Sequence, residues 1–173
     1  MVKVLLDLGA NPNREQNGMV PVVLAANQKD IRICLALMNA GCSLNRSGMQ
    51  TLGTSQTPLG MAIAAGMDDA VTTLLFLGSD VNAKTDWSVG SSHRNKAFFL
   101  RPGSSMLHFS VYKRNVGIAK KLIECGADIN SVDSEYYTAL HLACEDESGQ
   151  IHMARFLLSA AKKDVMDTIP INT

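Results

Sequence analysis

Net charge is missing from this chain. Sixteen Lys and Arg cancel sixteen Asp and Glu over 173 residues, and charged residues make up only 18% of the whole. A global field that would draw duplex nucleic acid or an anionic membrane as the main partner is therefore excluded. Cysteine is scarce as well: Cys34, Cys42, Cys125 and Cys144 form no C-x-x-C pair and no four-ligand Cys/His spacing. That argues against a structural zinc site or a disulfide framework, and for reduced thiols in an intracellular compartment, cytoplasmic or nuclear. No apolar run approaches the roughly 20 residues that span a bilayer, and Met1-Val2-Lys3 leads into Val4-Leu5-Leu6-Asp7 rather than into a signal-peptide core. Also absent are a phosphate-binding glycine loop, a nucleophile elbow and an H-E-x-x-H pair. Neither an enzyme nor a cofactor, metal or small-molecule substrate is expected. With 46% hydrophobic residues, most of the chain has the apolar material to fold.

What is present is a repeat. A Gly-x-x-x-Asn phrase occurs at Gly9 to Asn13, Gly41 to Asn45, Gly78 to Asn82 and Gly126 to Asn130, at intervals of 32, 37 and 48 residues. A second phrase keeps step with it: Val20-Pro21-Val22-Val23-Leu24-Ala25, Thr57-Pro58-Leu59-Gly60-Met61-Ala62, Ser105-Met106-Leu107-His108-Phe109-Ser110 and Thr138-Ala139-Leu140-His141-Leu142-Ala143. In each of the first three copies, 21 positions separate its first residue from the next glycine.

Each copy reads as two helices and a turn. A Thr or Ser before Pro starts a helix, because the hydroxyl caps free N–H groups and proline loses nothing at a position whose N–H has no partner. Small residues such as Ala62, Ala64 and Ala65 let a second helix approach closely. That second helix carries the bulk, as in Ile31, Cys34, Leu35, Leu37 and Met38, or Ile118, Ala119, Leu122 and Ile123. It closes at the glycine, which accepts a left-handed backbone. The predicted helix pairs are 21–28 with 31–40, 58–65 with 68–77, 105–113 with 116–124, and 138–146 with 150–160. Leu75, Leu122 and Leu140 are expected in the core.

The two phrases resemble the ankyrin repeat, with its Thr-Pro-Leu-His-x-Ala followed by Leu-Leu-x-x-Gly-Ala-x-x-Asn. The match is best at Thr57 to Asn82 and Ser105 to Asn130, clear at Thr138 to Leu158, and looser at Val20 to Asn45, where Val20 and Val23 replace Thr and His. The resemblance implies an all-α solenoid of stacked helix pairs with hairpin-like fingers, whose fingers and concave inner-helix face bind another protein. It divides the chain into a half repeat at 1–13, repeats at 14–45, 46–82, 83–130 and 131–161, and a tail at 162–173. Measured against a unit of about 33 residues, the second interval carries about 4 extra residues and the third about 15. The long insertion, 83–103, lies in a finger. The half repeat lacks an upstream partner helix and a polar outer face, which reads as a segment of a longer array or a product of truncation or alternative splicing. The alternative is an end that is capped by dimerisation or frays.

The insertion is the least generic stretch. It holds the sole tryptophan, Trp87, with Arg94, Lys96, Phe98, Phe99 and Arg101. Aromatics and arginine are over-represented among interface hot spots, so these are candidate partner contacts, together with Tyr112 and Glu145 on the inner helices. The other reading is that Trp87, Phe98, Phe99 and Leu100 fold back to anchor a long loop. Deletion of 86–102 is expected to spare the helices. The third copy is locally basic (Lys113, Arg114, Lys120, Lys121) and the fourth acidic (Asp133, Glu135, Glu145, Asp146, Glu147), which reads as a solvated surface with weak attraction between copies or as a charge-patterned partner surface. His108 and His141 recur in register; the resemblance implies a structural role for them. Cys144, three residues after His141, lacks the cleft a nucleophile needs.

By the same resemblance, Asn45, Asn82 and Asn130 are of a type modified by an intracellular asparaginyl hydroxylase, beside their ordinary role of holding the finger turn. The sequence reads as a non-enzymatic interaction module for another protein, without nucleic-acid binding or membrane insertion. The alternative is the substrate-recruiting or regulatory arm of a larger enzyme or signalling protein, such as a kinase or a ubiquitin-ligase component.

Overall fold

The computed structural model describes residues 1–17, 19–45, 57–85, 100–145 and 151–168. Within them the chain forms α1 (Val2–Asp7), α2 (Pro21–Asn27), α3 (Ile31–Asn39), α4 (Pro58–Ala64), α5 (Asp68–Phe76), α6 (Met106–Tyr112), α7 (Val116–Glu124), α8 (Ala139–Glu145) and α9 (Ile151–Thr168). No strand forms among the described residues; the fingers hold only isolated antiparallel bridges, Gln16 with Met19, Lys84 with Ser105 and Val132 with Thr138.

Local chemistry explains the boundaries. Thr57 Oγ1 accepts the Gly60 N–H at 3.2 Å, and Pro58 follows at the first helical position. Ser105 and His108 form a reciprocal capping box at the start of α6. Among the second helices, Asp30 caps α3 through the Arg32 and Ile33 N–H groups, and Asn115 caps α7 through the Ile118 N–H at 2.9 Å. At the other end Gly9, Gly41, Gly78 and Gly126 all sit near φ +90°, with open space where a Cβ would stand. The requirement at these four positions is therefore backbone handedness, not room.

Stacking does the rest. Helices α2, α4, α6 and α8 form one row and α1, α3, α5, α7 and α9 the other. Each first helix packs on its own partner and on the next first helix, and α5, α7 and α9 follow one another. Between the rows runs one continuous core that includes Val22, Val23, Leu59, Ile63, Leu74, Leu107, Ile118, Leu122, Leu142, Met153 and Leu157.

Two expectations are corrected. Leu75 and Leu140 are only half-buried, because the adjacent Leu74 and Ala139 point into the groove between rows, and Ile31 and Leu35 lie exposed on the outer side of α3. Helix α9 runs on to Thr168, into what the repeat spacing marks as a tail. With Ala161 in the place of the closing glycine, nothing local reverses the backbone there. In α1, Val2 and Leu6 pack on the core while Val4 and Leu5 stay exposed.

Burial fixes the expected cost of truncation. Leu74→Ala and Leu122→Ala should each destabilise by about 2 to 5 kcal/mol in urea titrations, and Leu75→Ala and Leu140→Ala by clearly less. Equal losses at Leu74 and Leu75 would contradict the packing described.

Candidate protein-interaction surface

The fingers are registered by a ladder of asparagines. Asn13 donates through Nδ2 to the Gly41 carbonyl at 3.0 Å and accepts the Ser43 N–H through Oδ1 at 3.4 Å. Asn45 Oδ1 accepts the Asp80 N–H at 2.7 Å. Asn82 repeats the full pattern, donating to the Gly126 carbonyl at 3.2 Å and accepting the Asp128 N–H at 2.9 Å. Each asparagine thus holds the glycine turn of the next copy and satisfies backbone groups that its helix end leaves free. Asn130 is exposed, and its side chain makes no hydrogen bond among the described residues.

His108 adds a second tie between copies. Its Nδ1 accepts the Ser105 N–H at 3.2 Å, so Nε2 carries the proton and donates to the Tyr137 carbonyl in the next finger at 2.9 Å. Burial lowers its pKa, outweighing the Tyr137 carbonyl and Asp133, which favour protonation. His141 repeats the contact to its own helix start, Nδ1 to Thr138 Oγ1 at 2.8 Å, but stands exposed. Cys144 is exposed with no hydrogen bond to His141, so the pair has no nucleophile geometry. No group of His, Cys, Asp and Glu among the described residues is placed to hold a metal ion.

The insertion is clasped at its base. The Thr85 N–H donates to the Ser104 carbonyl at 2.9 Å, the Gly103 N–H returns to the Thr85 carbonyl at 2.6 Å, and Ser134 N–H donates to the Pro102 carbonyl. Leu100 is fully buried. Arg101 enters the stack at 4% exposure, with Nε on Glu135 Oε2 at 2.9 Å, Nη2 on Glu145 Oε1 at 3.2 Å and Nη1 near Asp133 Oδ2 at 3.7 Å. Its guanidinium lies 4.1 Å from the centre of the Tyr137 ring. Burial works against this charge, and the hydrogen bonds and fields of Glu145 and then Glu135 outweigh it, raising the arginine further above neutrality.

These contacts sort the candidate residues. Arg101 and Glu145, expected to meet a partner, meet each other inside the chain, because a buried guanidinium must be paired. Tyr112 is half-buried, its ring 6.4 Å from that of Phe109. Trp87, Arg94, Lys96, Phe98 and Phe99 lie outside the described residues. The acidic group of copy four surrounds Arg101 as far as it is described. On the basic side, Lys121 is spent on Thr72 Oγ1 and the Asp68 carbonyl of copy two.

Two surface residues escaped the sequence reading. Leu24, 51% exposed on α2, borders a shallow cavity of about 290 Å³ with Arg14, Asn17 and Met19, although its counterparts Met61, Phe109 and Leu142 are buried. Tyr136, at the tip of the fourth finger, has φ +64° and is 82% exposed. A left-handed backbone costs a non-glycine residue about 1–2 kcal/mol, and no periodicity signals it.

Stacked helix pairs with projecting fingers and no catalytic constellation among the described residues define a repeat interaction module. The family model described as ankyrin repeats (3 copies) matches residues 1–85 and 89–168, and the chain belongs to the ankyrin-repeat family. Ankyrin repeats are non-catalytic protein–protein interaction modules. Similar proteins include Homo sapiens "Ankyrin repeat and SOCS box protein 16", 28% identical over 86% of this chain and 31% of that protein. Gallus gallus "Nuclear factor NF-kappa-B p105 subunit" is 29% identical over 97% of the chain and 16% of that protein. Arabidopsis thaliana "E3 ubiquitin-protein ligase KEG" is 30% identical over 54% and 6%. The chain thus spans under a third of the length of each. No helix of the described residues is long and apolar enough to cross a membrane.

The buried arginine overturns the expectation that removing 86–102 spares the helices. Replacing 86–99 by a short Gly/Ser linker should leave the melting temperature nearly unchanged, since closing a shorter loop on the same clasp changes stability by about 1 kcal/mol or less. Deletion through Pro102 should destabilise sharply. Arg101→Met alone should cost about 3 kcal/mol, the lower end for breaking a buried pair because Glu135 keeps an exposed edge. Acid should also act through His108. With its folded pKa depressed below 6.5, the unfolded state binds the proton more readily, so stability is complete above that pH and falls below it. Thermal melts at about pH 7.5 and 5.5 should show this loss reduced in His108→Gln.

Proposed function

We propose that the chain binds a protein partner through its fingers and inner-helix face, with the insertion supplying specificity. The observation that carries this reading is the clasp: Thr85 is bonded to Gly103 and Ser104, and Arg101 to Glu145, so the described ends of the insertion are tied to the stack. A loop fixed at its base presents side chains at lower ordering cost than a free one. Trp87, Arg94, Lys96, Phe98 and Phe99 supply the residue types of hot spots, and the exposed Leu24 and the half-buried Tyr112 extend the same service to the inner row. Arg101 and Glu145 hold this surface in place instead of contacting the partner.

A second reading, the recruiting arm of a larger enzyme, is favoured by the similarity to a protein named as a ubiquitin ligase and by the small share of each relative that the chain covers. Under it the same surface selects what a distant catalytic domain modifies. As for asparagine hydroxylation, Asn45 and Asn82 are committed to neighbouring turns, so of the three expected positions Asn130 offers the free amide.

Affinity capture on the purified chain, followed by calorimetry with the identified partner, tests the module reading. Replacing Trp87 or the Phe98-Phe99 pair by Ala should weaken binding by at least about 2 kcal/mol while leaving the melting temperature unchanged. If those changes instead lower stability and spare affinity, the aromatics are internal anchors.

A further inference from the structure

We infer that the fourth finger is a docking point for an arginine-bearing segment of a protein partner, with Tyr136 as the stacking surface and the outer edge of Glu135 as the carboxylate acceptor. The inference rests on the protein-binding reading above and adds to it the site and the chemistry of what is bound.

Tyr136 stands two residues before the helix start Thr138. In the preceding copy the same place, two residues before Ser105, is held by Gly103 at φ +77°. Glycine takes this left-handed backbone without penalty, and a bulky L-residue does not. A residue that disfavours the fold at its own position normally returns something in contacts. Lys29, also left-handed, pairs with Asp69 at 3.1 Å. Tyr136 returns nothing inside the chain: its ring is exposed, and its side chain makes no hydrogen bond or ring contact among the described residues. A strained, exposed aromatic at a finger tip is placed for something outside the chain.

The finger itself shows which chemistry it recognises. On its inner side it already holds an arginine, with the guanidinium over the Tyr137 ring and Nε on Glu135 Oε2. Next to it in the chain stand Tyr136, 82% exposed, and Glu135 itself, whose side chain is 57% exposed and whose Oε1 takes no hydrogen bond among the described residues. Charge agrees. Among the described residues, Asp133, Glu135 and Glu145 face Arg101, and with Lys84, which donates to the Val132 carbonyl, these three carboxylates stand against two cations, a negative excess of one. Guanidinium suits the place better than ammonium, because a planar fork both stacks on a ring and pairs with a carboxylate.

Backbone amide NMR titrations of the full chain test this, with peptides of alternating Gly and Arg, Gly and Lys, or Gly and Glu at equal length. The Arg peptide should shift the amides of 133–138 saturably, the Lys peptide should bind several-fold more weakly, and the Glu peptide should leave them unmoved. Tyr136→Gly should weaken the Arg peptide about tenfold and at the same time raise the melting temperature, since glycine relieves the backbone. Glu135→Gln should weaken it too. Equal affinity for Arg and Lys, unchanged binding in Tyr136→Gly, or a lower melting temperature in that variant would each overturn the proposal. So would self-association of the chain that Tyr136→Gly abolishes, which assigns the residue to a contact between copies. The two readings fail separately, because a captured partner whose binding ignores Tyr136→Gly removes the fourth finger and leaves the interaction module standing.

Discussion

No copy in this chain can bury its own apolar face. Two helices, of seven and nine residues in the first three copies, and a turn offer one wet side and one dry side, and the dry side is satisfied only by the next copy. Everything that fixes spacing follows from that requirement. The asparagine of one finger holds the glycine carbonyl of the next, and the histidine of one helix start holds a carbonyl in the next finger. These polar ties lie at the edge of the dry core and keep the copies in register, because backbone groups left unpaired there would cost more than the bonds contribute. Stability is a nearest-neighbour quantity here, and any surface elaboration must leave those contacts intact.

The long insertion meets that demand in an unusual way. Where the third copy lengthens, its chain returns through a buried arginine that three carboxylates and a tyrosine ring of the fourth copy surround. Desolvating a guanidinium is costly, and only replacement of the arginine together with its carboxylates by apolar residues would avoid that cost. What the arginine supplies is direction, since its fork fits one arrangement of partners. Asp133 is itself fixed by the Glu135 and Tyr137 N–H groups at 2.8 and 3.0 Å, so the turn that receives the arginine is already shaped. The insertion is tied across copies by the same principle as the asparagine ladder, with charge added.

Legibility in the sequence followed the range of the interaction responsible. Helix pairs, caps and closing glycines are local, and they stand within a few residues of the positions that the two repeated phrases imply. The choice between Leu74 and Leu75 was not readable, because neighbouring leucines differ by one helical step and only the packed partner decides which enters the groove. Helix α9 went past its expected end because a missing stop signal does not itself locate an end. Arg101 and its carboxylates are separated by more than thirty residues of chain, so composition showed a basic insertion and an acidic fourth copy but not that one had moved inside the other.

The left-handed positions divide the same way. At Gly9, Gly41, Gly78 and Gly126 glycine answers a demand of the backbone, and there the sequence and the fold agree. Tyr136 answers no such demand. A one-dimensional array tolerates the disagreement because a finger tip contributes little to either neighbour's core, so strain placed there does not spread along the stack. Fingers are therefore where residues costly to the fold can be kept for recognition. The buried rows, whose positions are already committed to both neighbours, have no such freedom.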